Sequence, residues 1–116
     1  MKPVHWVGAS RKELKSFPRT VQRTVGQALY AAQRGQEYPS VKALKGFGGR
    51  SVLEIVASYD SDTYRVAYTV KFANAIYVLH AFQKKSKKGI ATPAVDLDLI
   101  AKRLAAAERD YKGRQR

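Results

Sequence analysis

The chain has 116 residues, with 22 lysines and arginines against 9 aspartates and glutamates, so its formal charge at pH 7 is +13. This length suits one hydrophobic core, and residues 1–116 are predicted to form a single domain. The lack of cysteine excludes disulfides, thiolate catalysis and cysteine-ligated metal sites, while the excess positive charge favours a polyanionic partner.

The N-terminal part is predicted to contain one short strand and two helices. Weak alternation predicts a strand at residues 3–7. Helical spacing starts at Ser10, and Pro18 occupies a position that the first turn of a new helix tolerates, so a second helix is predicted at residues 18–34. Its apolar residues recur at steps of three and four and form one stripe: Val21, Val25, Ala28, Leu29 and Ala32.

The middle of the chain is predicted to be a loop followed by three antiparallel strands. Residues 36–50 contain Pro39 and several glycines without sustained periodicity, which is typical of a connecting loop. Alternating apolar residues predict strands at 51–59, 63–72 and 75–83, with a turn at residues 60–62. The third strand is apolar on both sides, as expected for a central position in a sheet.

A last helix is predicted after Thr92 and Pro93, which form a helix-start signal. Its charged end, from Arg109 onward, is expected to fray. The order of these elements predicts an α+β domain, in which an antiparallel β-sheet is backed by an N-terminal helical hairpin and a C-terminal helix.

This order, together with the segments LKGFGGRSVLEI, YRVAYTV, IYVLHAFQKKSKKG and TPAVDLDLIAKR, resembles the RelE/HigB-like toxins of type II toxin-antitoxin pairs. The closest likeness is to the phage-derived HigB branch, and it covers nearly the whole chain. The resemblance implies a RelE-like, microbial RNase-like fold and ribosome-dependent cleavage of mRNA. It also implies neutralisation by a cognate antitoxin, which in such pairs often carries a helix-turn-helix domain.

Metal-free cleavage of RNA needs a base for the ribose 2′-hydroxyl, cations for the charge on phosphorus and an acid for the leaving oxygen. Arg65 has the strand phase opposite to Val66, so its guanidinium is expected on the less buried face, at the position that the resemblance marks as phosphate-binding. Glu54 is expected close to Arg65 as a candidate base, although a structural ion pair is an equal alternative. His80 is a further candidate for proton exchange, but its apolar neighbours favour a hydrogen-bonded core residue.

Cations cluster at the end of the last predicted strand. Four lysines there are predicted to contact phosphates without reading bases, rather than merely to solvate a sheet edge: Lys84, Lys85, Lys87 and Lys88. Lys85 lies nearest the position where the resemblance places a catalytic cation. Arg50, which a glycine turn would direct towards the sheet, and Lys71 are also predicted to contact RNA.

The segment after the lysines departs from the mRNA-cleaving relatives, which tend to place a tyrosine or histidine where this chain has GIAT. A general acid is then absent or supplied from elsewhere, for instance by His80, Lys88 or Tyr111. Two other hypotheses therefore stay open: a non-enzymatic inhibitor of DNA gyrase, like the ParE toxins of the same fold, and an inactive phage-derived nucleic-acid-binding protein.

No metal site or small-molecule cofactor is predicted, because the chain has only two histidines and no cysteine. The N-terminal residues become charged too early for a signal peptide, and no run of about 18 apolar residues occurs. A cytoplasmic protein that does not enter a membrane is therefore expected.

Overall fold

The computed structural model describes residues 1–84 and 92–115, which form a five-stranded sheet with helices on both faces. This arrangement confirms the predicted α+β class with N-terminal helices and a C-terminal helix. The strand order across the sheet is β1-β5-β4-β3-β2. The elements are β1 (Val4–Trp6), α1 (Ser10–Lys15), α2 (Arg19–Gln33), β2 (Val41–Ala43), β3 (Val52–Tyr59), β4 (Asp62–Thr69), β5 (Ile76–Lys84) and α3 (Ala94–Arg114).

The sheet is mixed, whereas a wholly antiparallel sheet was predicted. β3, β4 and β5 form the predicted antiparallel meander. β1, however, runs parallel to β5, with Val4 opposite Ile76. Alternation within a strand reveals which residues share a face but not which neighbour the strand will choose, so the sequence pattern could not supply this pairing.

β2 lies inside the segment that was predicted to be a loop. It has only three residues, and it pairs antiparallel with β3 so that Lys42 lies opposite Glu54. Three residues are too few for alternation to stand out, and Pro39 and Gly46 on either side of the strand favour a loop.

α2 covers one face of the sheet through the predicted apolar stripe, all five residues of which are buried. They pack with Leu53, Ile55 and Val66 of the central strands. Pro18 immediately precedes the first helical residue, and Gly35 follows the helix with a φ of +74°. The predicted helix bounds are therefore confirmed to within one residue.

α3 covers part of the opposite face, where Ile100 and Ala107 are buried with Leu79. The helix continues to Arg114, so the expectation of a frayed end from Arg109 was wrong. Two contacts hold this end: the Tyr111 ring stacks on the Phe72 ring at 4.6 Å, and the Tyr77 hydroxyl donates to Asp110 Oδ2 at 2.6 Å.

A two-residue turn sets the register of β3 and β4. Asp60 and Ser61 have φ values of 50° and 70°, as the predicted tight hairpin requires. The resulting register places Arg65 opposite Val56 and Ala67 opposite Glu54. Glu54 and Arg65 are therefore diagonal neighbours on one face of the sheet.

Candidate functional site

Glu54 and Arg65 form a buried ion pair on the face of the sheet that α3 partly covers. Arg65 Nη1 donates to Glu54 Oε1 at 2.9 Å, and the two side chains are 6% and 0% exposed, in the order Arg65 and Glu54. Their proximity agrees with the sequence-based expectation. The guanidinium was expected to emerge from the less buried face of the strand, but it is buried, because β4 lies between β3 and β5 and most residues of β4 are buried.

The Glu54 carboxylate also links the sheet to the start of the last helix. Thr92 Oγ1 donates to Glu54 Oε2 at 3.0 Å. Thr92 was predicted to cap α3. Pro93 is instead the residue that precedes this helix, and its side chain provides no capping hydrogen bond. Both oxygens of Glu54 are thus engaged. The Nε atom of Arg65 is buried without a hydrogen-bond partner in the part of the chain that the structure describes.

An open cleft of about 390 Å³ lies next to Glu54, between β2 and the beginning of α3, and Arg65 is not among the described residues that line it. Lys42 and Lys45 are exposed, whereas Glu54 is fully buried, so the cleft has ammonium groups at its rim and a carboxylate at its base. Its lining residues are Lys42, Ala43, Leu44, Lys45, Glu54, Thr92 and Leu97.

Lys84 contributes another positive charge next to the pair. It lies opposite Thr63 at the end of β5, and it is 7% exposed. Burial lowers the pKa of Lys84, the positive charge of Arg65 lowers it further, and the negative charge of Glu54 partly opposes both effects. A lysine whose pKa is lowered exchanges protons near neutral pH more readily than an ordinary lysine does.

Lys42 and Lys45 were not among the predicted site residues, although both line the cleft. Both lie in or beside β2, within the segment predicted to be a loop. A signal does exist in the sequence: in VKALK, apolar residues alternate with lysine just before the glycines. This pattern is typical of a short strand with one charged face.

His80 lies in a separate polar network that joins α1, β5 and α3. Its Nδ1 atom is 3.0 Å from Glu13 Oε1, and its Nε2 atom is 2.8 Å from Asp96 Oδ1. Arg103 donates from Nη1 and Nη2 to the two oxygens of Glu13, at 2.9 and 3.2 Å. These contacts agree with the interpretation of His80 as a hydrogen-bonded core residue.

Glu13 is the centre of that network. Its Oε1 atom also accepts a hydrogen bond from the Ala81 backbone N–H at 3.2 Å, beyond the part of β5 that β1 pairs. Burial raises the pKa of Glu13, but the hydrogen bonds from Arg103, His80 and Ala81 outweigh it and hold the pKa below its ordinary value of 4.5. The carboxylate therefore fixes α1 and α3 against the sheet while it is ionised.

Arg50 and Lys71, two further predicted RNA contacts, are not among the described residues that line the cleft. Arg50 forms an exposed ion pair with Glu37, and Lys71 Nζ lies 3.4 Å from Glu108 Oε1 of α3. Their role in RNA binding remains a prediction. Lys85, Lys87 and Lys88, which were also predicted to contact RNA, lie outside the described ranges.

The described residues contain neither a metal-binding cluster nor a membrane-spanning helix. Within residues 1–84 and 92–115, no group of three or more histidine, aspartate and glutamate side chains is arranged to hold a metal ion. No helix in these ranges has the length and apolar character that a membrane span needs.

Comparison with known proteins gives one family match. Residues 12–105 match the family described as "Phage derived protein Gp49-like (DUF891)". The matched region begins in α1 and ends within α3, so it includes every residue that lines the cleft. No curated protein matches the chain.

Proposed function

The chain belongs to the Gp49-like family of phage-derived proteins, a family of toxins from toxin-antitoxin pairs, and we propose that it is a toxin that cleaves mRNA on the ribosome. Its partners would be the ribosome with its bound mRNA and a cognate helix-turn-helix antitoxin. This activity places the protein in the cytoplasm and needs no metal or small-molecule cofactor.

The observation that carries the proposal is the cleft lined by Lys42, Lys45 and Glu54, with Arg65 paired to Glu54 beside it. Lys42 and Lys45 attract the phosphate backbone at the rim. Arg65, held in orientation by Glu54 at 2.9 Å, stabilises the charge that develops on the phosphorus oxygens. The Nε of Arg65, which has no partner among the described residues, can donate to a phosphate oxygen if the substrate displaces the side chains that bury it.

In the proposed reaction the ribose 2′-oxygen attacks phosphorus and the bond from phosphorus to the 5′-oxygen breaks. Lys84 is the proposed acceptor of the 2′-hydroxyl proton, because burial and the positive charge of Arg65 lower its pKa and so favour its neutral form relative to an ordinary lysine. An ammonium at the rim protonates the leaving oxygen. The products are a cyclic 2′,3′-phosphate and a 5′-hydroxyl. The ribosome supplies the in-line geometry of the message, so that free RNA is a poor substrate.

A non-enzymatic inhibitor of DNA gyrase is the second candidate. It is favoured by the burial of Glu54 and by the hydrogen bonds to both of its oxygens, which are the contacts that a structural role for this carboxylate requires. A structural ion pair would suffice in such a protein, and the cationic cleft would bind a macromolecular target without chemistry.

The order of events after induction separates the two candidates. We expect amino-acid incorporation to fall within minutes, before any DNA damage response, when the protein is expressed without an antitoxin. DNA damage that precedes the loss of translation would reject mRNA cleavage and favour gyrase inhibition.

A further inference from the structure

A second concentration of positive charge lies on α1 and α2. α2 packs on the face that contains Leu53 and Ile55, whereas the cleft opens on the face that contains Glu54. Within the described ranges, none of the exposed cations on this hairpin forms an ion pair: Arg11, Lys12, Lys15, Arg19 and Arg23.

Three of these cations lie close to the junction between the two helices. Gln22 Nε2 donates to the carbonyl oxygens of Lys15 and Phe17, at 3.2 and 2.8 Å. Arg19 and Arg23 lie on one face of α2, one turn apart, which is about 6 Å along the helix axis. Lys15, Arg19, Gln22 and Arg23 border an open depression of about 680 Å³.

Nearby carboxylates do not neutralise this surface. Residues 1–34 contain seven lysines and arginines but only one acidic residue, Glu13. That carboxylate is turned inward, towards Arg103 and His80. The first turn of α2 also carries no acidic residue. The field outside the hairpin is therefore strongly positive and attracts polyanions.

The chemistry of the depression selects a phosphate backbone. Among the described residues, the side chains that border it include no aromatic ring on which a base can stack and no large apolar group that can enter a membrane. We propose that Lys15, Arg19 and Arg23 form a docking surface for the backbone of double-stranded RNA, separate from the cleft. The choice of RNA rests on the proposed function, since a ribosome presents folded RNA to a protein bound at its message.

The docking surface is tested by removing its three charges in the full-length protein. The variant Lys15→Gln/Arg19→Gln/Arg23→Gln is titrated with a fluorescent RNA duplex of about 16 base pairs, long enough to span two successive minor grooves, at several salt concentrations. We expect at least a tenfold loss of affinity at 100 mM salt. The slope of log affinity against log salt should also become shallower by about two to three.

The matched control removes three exposed cations from α3, in the variant Lys102→Gln/Arg109→Gln/Lys112→Gln. It should lose less than threefold in affinity at the same salt concentration. Equal losses in both variants would mean that only net charge matters, and this would overturn the proposal. Undiminished binding by the α1–α2 variant would overturn it as well.

Two further ligands separate RNA from other polyanions. A DNA duplex of the same sequence and a poly-glutamate peptide should bind more weakly than the RNA duplex. If the peptide binds at least as tightly as RNA, and if the α1–α2 variant no longer binds the peptide, the surface is a protein-docking site and the RNA proposal fails. The assay involves no cleavage, so its result stands whether or not the protein cuts mRNA.

Discussion

Arg65 Nη1 lies 2.9 Å from Glu54 Oε1, and neither side chain is more than 6% exposed. The two charges cancel locally beside a cleft whose rim carries Lys42 and Lys45. Removal of one partner from such a pair leaves an uncompensated buried charge, whereas the exposed lysines have no such structural role. Substitution of Glu54 or Arg65 should therefore lower the stability of the protein. Substitution of the rim lysines should lower activity and leave stability nearly unchanged.

Arg65→Leu should destabilise the protein by about 3–5 kcal/mol, because the ionised Glu54 would remain buried without its partner. The double variant Arg65→Leu/Glu54→Leu should recover much of this loss. Urea unfolding of the wild type, both single variants and the double variant measures the coupling. Additive losses would contradict a direct interaction between the two side chains.

Lys42→Gln/Lys45→Gln should lower mRNA cleavage on ribosomes at least tenfold, because these lysines are proposed to hold the phosphate backbone at the rim of the cleft. Both side chains are exposed, so the free energy of unfolding should change by only about 0.5 kcal/mol. Lys102→Gln/Lys112→Gln removes the same charge from α3 as the control. Full activity in the rim variant would show that the cleft is not the RNA site.

Glu13→Gln should destabilise the protein at neutral pH by about 1–3 kcal/mol, because the hydrogen bonds from three residues to an ionised carboxylate are weakened. The pKa of Glu13 is lower in the folded protein than its ordinary value of 4.5. Its contribution is thus fully present above about pH 4.5, and it is lost as the pH falls through the folded pKa.

Urea unfolding between pH 3 and pH 7 tests this dependence on pH. The difference between wild type and Glu13→Gln should shrink as the solution becomes acidic. Asp98→Asn, an exposed substitution on α3, should leave the curve nearly parallel to that of the wild type. A gap between Glu13→Gln and wild type that stays constant with pH would mean that the charge of Glu13 does not stabilise the network.

Tyr77→Phe should reduce the loss of stability in alkaline solution. Burial, followed by the hydrogen bond to Asp110, raises the pKa of Tyr77 from 10.0 to about 12. The folded protein therefore retains this proton when the unfolded chain has released it. Stability is full below about pH 10 and falls as the pH rises towards 12.

The Tyr77→Phe variant lacks this titration but loses the 2.6 Å hydrogen bond, so it should be less stable than wild type at pH 8. Its stability should then decline less steeply between pH 10 and pH 12. Burial also raises the pKa of Tyr68 to about 12, so some alkaline decline should persist in the variant. Identical slopes in the two proteins would contradict the protonated, buried state of Tyr77.

Periodicity predicted those elements whose patterns are long. The apolar stripe from Val21 to Ala32 defined both the bounds of α2 and its buried face, because five residues repeat along about three turns. The DSD turn likewise fixed the register of β3 and β4. The parallel pairing of β1 was not predictable, since it is a contact between strands that lie about 70 residues apart and leaves no local pattern.

The candidate site was predicted only in part. The proximity of Glu54 and Arg65 followed from hairpin geometry, but their burial depends on a neighbouring strand and on α3. Lys42 was not predicted to belong to the site, because a strand of three residues between proline and glycine shows too little alternation to be recognised. The network around His80 joins residues from three separate elements, and spacing along the chain carries no information on such a cluster.

The most direct test of the proposed function is cleavage mapping by primer extension on one mRNA, either free or bound to ribosomes, with purified protein. The proposal predicts cuts only in the ribosome-bound message, with 5′-hydroxyl ends, and their loss in the Lys42→Gln/Lys45→Gln variant but not in Lys102→Gln/Lys112→Gln. An uncut message in both states, or equal cutting by the rim variant, would contradict it.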